Sequence, residues 1–290
     1  MSSSSPLIVI APPQLSWHRS DPEQMLHFRG GRFTRVNNFC SFLLALLASC
    51  AFYAALIPFE ETYFAKMFME RGRIPYAIVF FFCWSMAILF IKTLKLRIQR
   101  RTLHLDVLPQ SPEFVLSPST AKEVTHRIHQ FVDDPRQFLL LNRIEIALSN
   151  LKNLGRVTDV DEILKSQGDQ DESTVETSYS IVNGFVWAIP VLGFIGTVEG
   201  LSMSIGGFGE VLATTEQLSE IKSSLQSVTA GLAIAFETTL QGLVGALVVQ
   251  LCLNQTKKRE EEFLDDCAEY CTRNVVGRLR LTPYEMGSSE

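Results

Sequence analysis

The sequence predicts an all-α integral membrane protein: four transmembrane helices with helical cytoplasmic extensions. Three observations carry this. Charged residues are only 20% of the 290, against 47% apolar, below the roughly 25% charge typical of soluble domains. The apolar residues are clumped into four runs, each near the ~20 residues a bilayer core requires. Lysine and arginine gather at one side of those runs. Four such lengths are hard to bury in a soluble bundle of this size.

The first span is read from FCSFLLALLASCAFYAALIPF (39–59), 21 residues without a charge. IPYAIVFFFCWSMAILFI (74–91) gives the second. The third is uncharged from Ser178 to Val198, and the fourth runs from Ser223 to Thr256 with Glu237 as its sole charge. Arg19, Arg29, Arg32 and Arg35 precede the first span; Lys92, Lys95, Arg97, Arg100 and Arg101 follow the second; Lys257, Lys258 and Arg259 follow the fourth. The 60–73 and 208–222 loops balance their few bases with glutamates. The positive-inside rule then places both termini and the segment between the hairpins in the cytoplasm.

The organisation is a cytoplasmic tail (1–38), an outer hairpin (39–94), a cytoplasmic helical insert (95–178), an inner hairpin (179–256) and a cytoplasmic C-terminal helix and tail (257–290). MSSSSPLIVIAPPQ lacks the charged start of a signal peptide and reads as a loose tail or a surface-lying segment. Within the insert, LPQSPEFVLSPST breaks a basic helix, a second helix starts near Ser119 or Thr120, and DDPRQ interrupts it. FLLLNRIEIALSNLKNLG has helical apolar spacing, and SQGDQDEST (166–174) reads as an acidic linker. Cys267 and Cys271 lack zinc-site partners and read as free thiols of a reducing compartment.

The first two spans are bulky. The last two are rich in Gly, Ala, Ser and Thr, which suits an inner, packed or pore-facing layer. In the third span Gly193, Thr197, Gly200 and Ser204 fall on one stripe. The fourth carries Ser227, Gly231, Thr238, Gly242 and Gly245. Close packing through small residues explains Gly193, Gly200, Gly231 and Gly242. It leaves Glu199 and Glu237 unexplained. Pro190 removes one helix hydrogen bond and is expected to kink the third span.

Counting from Ile181 and Asn254, Thr197 and Thr239 lie 16 and 15 residues from the same side, about 23 Å deep at ~1.5 Å per residue. Glu199 and Glu237 sit two residues further out. A charge at that depth costs roughly 2.5 kcal/mol or more. Glu237 either exchanges ions, ties subunits together by hydrogen bonds, or lines a wet cavity; the residues alone leave these open. Glu199, nearer its helix end, leans toward a structural role. Hydroxyls donate and accept at once, so Thr197, Thr238 and Thr239 suit an ion path, although membrane threonines commonly bond their own helix carbonyls.

AIPVLGFIGTVEGLSMSIGGF followed by SVTAGLAIAFETTLQGLVGAL resembles the MotA/TolQ/ExbB proton-channel family over about 180–256. The resemblance implies an A-type subunit: a ring of five copies around two copies of a MotB/TolR/ExbD-like partner whose single span carries an Asp. It implies ion flow, H+ or alternatively Na+, coupled to mechanical work in the bacterial inner membrane. By motif, Thr197 and Thr239 match the family's pore threonines, Thr238 is adjacent, and Pro190 matches the proline before G-F-I-G. Four spans are similar to the MotA branch.

Other classes have less support. No H-E-x-x-H, G-x-S-x-G or G-x-x-x-x-G-K occurs, so no enzyme is expected, nor a metal, cofactor or nucleic-acid partner. His126 and His129 read as a solvated helix face. A secondary transporter would show more helices and an internal repeat. A non-conducting scaffold that presents the 95–178 insert to a protein partner is the alternative; it makes the polar residues of the spans dispensable.

Overall fold

The computed structural model describes residues 15–109, 114–117, 120–151, 157–214 and 218–280. Its helices are α1 (Trp17–Ser20), α2 (Pro22–Met25), α3 (Asn38–Leu56), α4 (Tyr63–Met69), α5 (Ile74–Arg100), α6 (Ala121–Phe131), α7 (Leu139–Asn150), α8 (Val157–Ser178), α9 (Ser180–Thr214) and α10 (Leu218–Tyr270). Among the described residues, β-pairing is confined to two isolated bridges. α3, α5, α9 and α10 contain stretches long and apolar enough to cross a membrane. The chain is an all-α, multi-pass membrane protein.

Two compact units divide the chain. The apolar unit is Asn38–Phe90 with Tyr179–Thr256. The bulky residues of its first hairpin pack ring on ring: Phe42 meets Trp84 edge to face at 5.2 Å between ring centroids, and Trp84 meets Phe185 of α9 at a tilt at 4.8 Å. The Trp84 indole N–H donates to the Ser41 hydroxyl at 3.1 Å, so this aromatic core leaves its polar atom paired.

The 60–73 segment is more than a loop. Thr62 caps the N-terminus of α4, its Oγ1 accepting from the Ala65 N–H at 3.4 Å. At the far side of the inner hairpin, α9 continues to Thr214 and α10 begins at Leu218. The expected 208–222 loop is therefore helical outside 215–217, which are not among the described residues. No Gly or Pro falls in the segments that extend each helix beyond 209, so nothing local stops them.

The second unit is Met1–Asn37, Ile91–Ser178 and Lys257–Glu290. Its centre is a polar stripe on α5. Lys92, Lys95 and Gln99 recur at helical spacing and are all buried. Lys92 pairs with Glu260 of α10 at 3.1 Å. Lys95 pairs with Glu23 at 2.5 Å and donates to the Arg35 carbonyl at 2.8 Å. Gln99 accepts from the Leu139 N–H and donates to the Gln137 carbonyl, so it caps the start of α7. Two of the lysines that follow the second span are thus interior residues, each held by a carboxylate.

One further expectation, the acidic linker, is corrected here. The tail is built into this unit from Leu15 onward: Trp17 is buried edge-on against Phe138 at 5.4 Å, and the Asp133 carboxylate accepts from Ser16, Trp17 and His18. The segment expected to be looser, 1–14, lies outside the described residues. The acidic linker at 166–174 is helix, part of α8. Its buried residues, Val160, Leu164, Asp171 and Val175, repeat on one face, and the Arg143 Nε donates to Asp171 at 2.6 Å. An acidic composition hid a helix whose inward carboxylate has a counter-ion. The C-terminal amphipathic helix is also continuous with the fourth span, as α10.

Candidate functional site

α9 and α10 touch backbone to backbone at two places, on either side of a hydroxyl pair. A Cβ built on Gly193 would stand 2.9 Å from the Thr238 carbonyl oxygen, and one on Gly242 3.0 Å from that of Ile189. Toward the other end, a Cβ on Gly200 would stand 2.6 Å from the Gly231 carbonyl oxygen, and one on Gly231 2.7 Å from that of Gly200. Only glycine admits this approach, and small-residue stripes are the usual means of bringing membrane helices so close. The pairing runs antiparallel. The Ser204 hydroxyl reinforces it by donating to Gly200 or across to the Val228 carbonyl, both at 3.0 Å.

Between the two glycine contacts, the hydroxyls of Thr197 and Thr239 are hydrogen-bonded to each other. Thr197 Oγ1 also lies 3.3 Å from the Gly193 carbonyl oxygen and 3.1 Å from that of Ala235. Thr239 Oγ1 lies at the same 3.3 and 3.1 Å from the same two oxygens. Four oxygens, two per helix, form one cluster. The two threonines that counting places at one depth are therefore in contact. Each hydroxyl holds a single hydrogen and faces three acceptors, so its hydrogen can be redirected without moving the backbone.

Residues 140–269 match the model of the MotA/TolQ/ExbB proton channel family.

The family segment holds the whole hydroxyl cluster and both glycine contacts, and it extends beyond the inner hairpin to take in α7 and α8. No curated protein and no solved structure matches the chain. Outside the family segment lie α1 to α6.

The remaining candidates take separate places. Thr238 is fully buried and donates within α10 to the Ile234 or Ala235 carbonyl. Pro190 lies inside α9, which runs through it unbroken. Glu199 is exposed on α9, whereas Glu237 is buried, so the carboxylate level holds two groups in unlike surroundings. Glu237 faces away from the hydroxyl cluster. Its Oε2 accepts from Arg71 Nε at 2.7 Å, and its Oε1 from Arg71 Nη2 at 3.3 Å and from the Tyr63 hydroxyl at 2.8 Å. One turn along, Gln241 donates to the Met67 carbonyl at 2.8 Å.

α10 thus has two working faces. Gly231, Ala235, Thr239 and Gly242 meet α9, while Glu237 and Gln241 hold the α4 segment. Sequence reading missed Tyr63 and Arg71 as partners. The signal was present: Tyr63, Met67 and Arg71 recur every four residues, and a membrane carboxylate requires a counter-charge. Charge counting alone enters Arg71 as one of the few bases of the 60–73 segment.

Proposed function

We propose that this chain is the A-type ring subunit of an ion-driven motor or channel complex in a bacterial inner membrane. It conducts H+, with Na+ as the alternative ion, and couples that flow to mechanical work. Five copies surround two copies of a single-span partner of the MotB/TolR/ExbD kind, whose membrane Asp takes up and releases the ion. The termini lie in the cytoplasm.

The observation that carries this reading is the Thr197–Thr239 hydroxyl contact, inside a segment of the proton channel family. Paired hydroxyls can accept a proton on one oxygen while releasing one from the other, without holding a fixed charge in the membrane. The glycine contacts fix the separation of the two helices and so of the two oxygens. Thr238 and Pro190 support the same wall, and Glu199 stands at its exposed edge. Trp187, Val191, Phe194 and Val198 make an exposed apolar stripe on α9, and Phe236, Leu240, Leu243 and Leu247 make another on α10. Such faces suit neighbouring copies and lipid.

The test is reconstitution in proteoliposomes with the single-span protein encoded beside this chain. The reading predicts proton uptake that needs both proteins and a complex mass of five to two. A complex that forms but passes neither H+ nor Na+ would instead support the scaffold reading.

A further inference from the structure

The most demanding feature left over is a buried carboxylate on the helix that carries Thr239, answered by an arginine from outside the family segment. We infer that Arg71 is a positioning residue for the ion path. By clasping Glu237 on the α4-facing side of α10, it turns the carboxylate away from the hydroxyl pair and cancels its charge there. This inference rests on the proposed path through Thr197 and Thr239.

The geometry supports it at three points. The pair is two-pronged, with Arg71 Nε and Nη2 on different carboxylate oxygens, and the Tyr63 hydroxyl takes the remaining approach to Oε1. The clasp is anchored independently of the charges by Gln241, which holds the Met67 carbonyl. The third point is helical geometry. Residues two apart on an α-helix project to nearly opposite sides, yet stay within its diameter of about 10–12 Å. Glu237 is therefore close enough for an uncancelled charge to be felt at Thr239, and turned so that it does not contact it. Across a helix diameter of about 10 Å, one unit charge changes a cation's local concentration roughly 2- to 16-fold, depending on the effective dielectric. Paired with Arg71, that field largely cancels.

The other arrangement would put a bare carboxylate beside the path, where it would concentrate and retain cations. The path as built passes neutral hydroxyls instead. Arg71 and Tyr63 belong to the 60–73 segment, outside the family segment that holds Glu237 and Gln241.

The local potential can be read without any partner. In full-length protein carrying Thr239→Cys, the modification rates of position 239 by a cationic and an anionic methanethiosulfonate are compared by peptide mass spectrometry. The inference predicts that adding Arg71→Gln raises the cationic-to-anionic ratio at least threefold. Adding Glu237→Gln instead lowers it, and adding both restores the starting ratio. A merely structural role would move both reagents' rates together and leave the ratio unchanged, and that result overturns the inference. If Arg71→Gln alone fails to fold, Glu237→Gln and the uncharged double variant decide the matter: an unchanged ratio in Glu237→Gln overturns it. Loss of the conduction reading would show instead as ion flux that ignores Thr239, an independent measurement.

Discussion

Arg71 and Glu237 meet across 166 residues of sequence, guanidinium Nε to Oε2 at 2.7 Å, with the carboxylate side chain only 9% exposed. A charge that looked misplaced in an apolar span has a partner on the neighbouring segment. Breaking such a pair leaves a buried charge uncompensated, which is the expensive outcome. Arg71→Ala is expected to destabilise the protein by about 3 kcal/mol, and a second change, Glu237→Leu, to recover most of it. Thermal unfolding in detergent measures both. Equal loss in the single and double variants would mean that the charge pairing contributes nothing.

Gly200 and Gly245 form a matched comparison on the small-residue stripes. A Cβ at Gly200 meets the Gly231 carbonyl oxygen at 2.6 Å, which no rotamer change relieves, whereas at Gly245 the nearest atom is the Ile189 side chain at 3.5 Å, ordinary contact. Gly200→Ala is expected to cost about 1–3 kcal/mol by overpacking. Gly245→Ala should be near neutral. Side-by-side unfolding midpoints test the difference.

In the second unit, Lys92 and Glu260 are 1% and 2% exposed, and the Thr34 hydroxyl also donates to Glu260. Lys92→Met strands the carboxylate and is expected to cost about 3–5 kcal/mol. Lys92→Met with Glu260→Leu removes both charges and should regain much of that loss. Chemical denaturation of the three proteins would show it.

Asp133 gives a pH dependence with a definite sign. Burial pushes its carboxyl up, but the N–H groups of Trp17 and His18, the Ser16 hydroxyl and the Asp134 N–H outweigh this and hold it below the usual aspartate range. A folded value below the unfolded one means the stabilisation is present above about pH 4 and is lost as pH falls through the folded value. Hydrogen exchange of amides 16–20, corrected for intrinsic rate, should therefore show protection at pH 7 that is reduced by Asp133→Asn. The difference between the two proteins should shrink as pH falls below about 3.

The four spans and the level of the threonine pair were legible because length, apolar clumping and rise per residue are local quantities. Thr197 and Thr239 could be matched by counting alone. What stayed hidden depended on partners distant in sequence. Lys92 and Lys95 look like flanking charges until Glu260 and Glu23 are seen beside them. Asp171 looks like part of a linker until Arg143 is seen to pair with it. Glu237 keeps three open readings in the sequence because its partner Arg71 is 166 residues away. Composition reports a charge, and only the fold reports its counter-ion.

The measurement that bears most directly on the conduction reading is ion flux through the reconstituted complex with Thr239 changed in two ways. Thr239→Val keeps the shape and removes the hydroxyl; Thr239→Ser keeps the hydroxyl. The reading predicts that flux is abolished in the first and largely retained in the second, with assembly intact in both. Flux undiminished by Thr239→Val would contradict it.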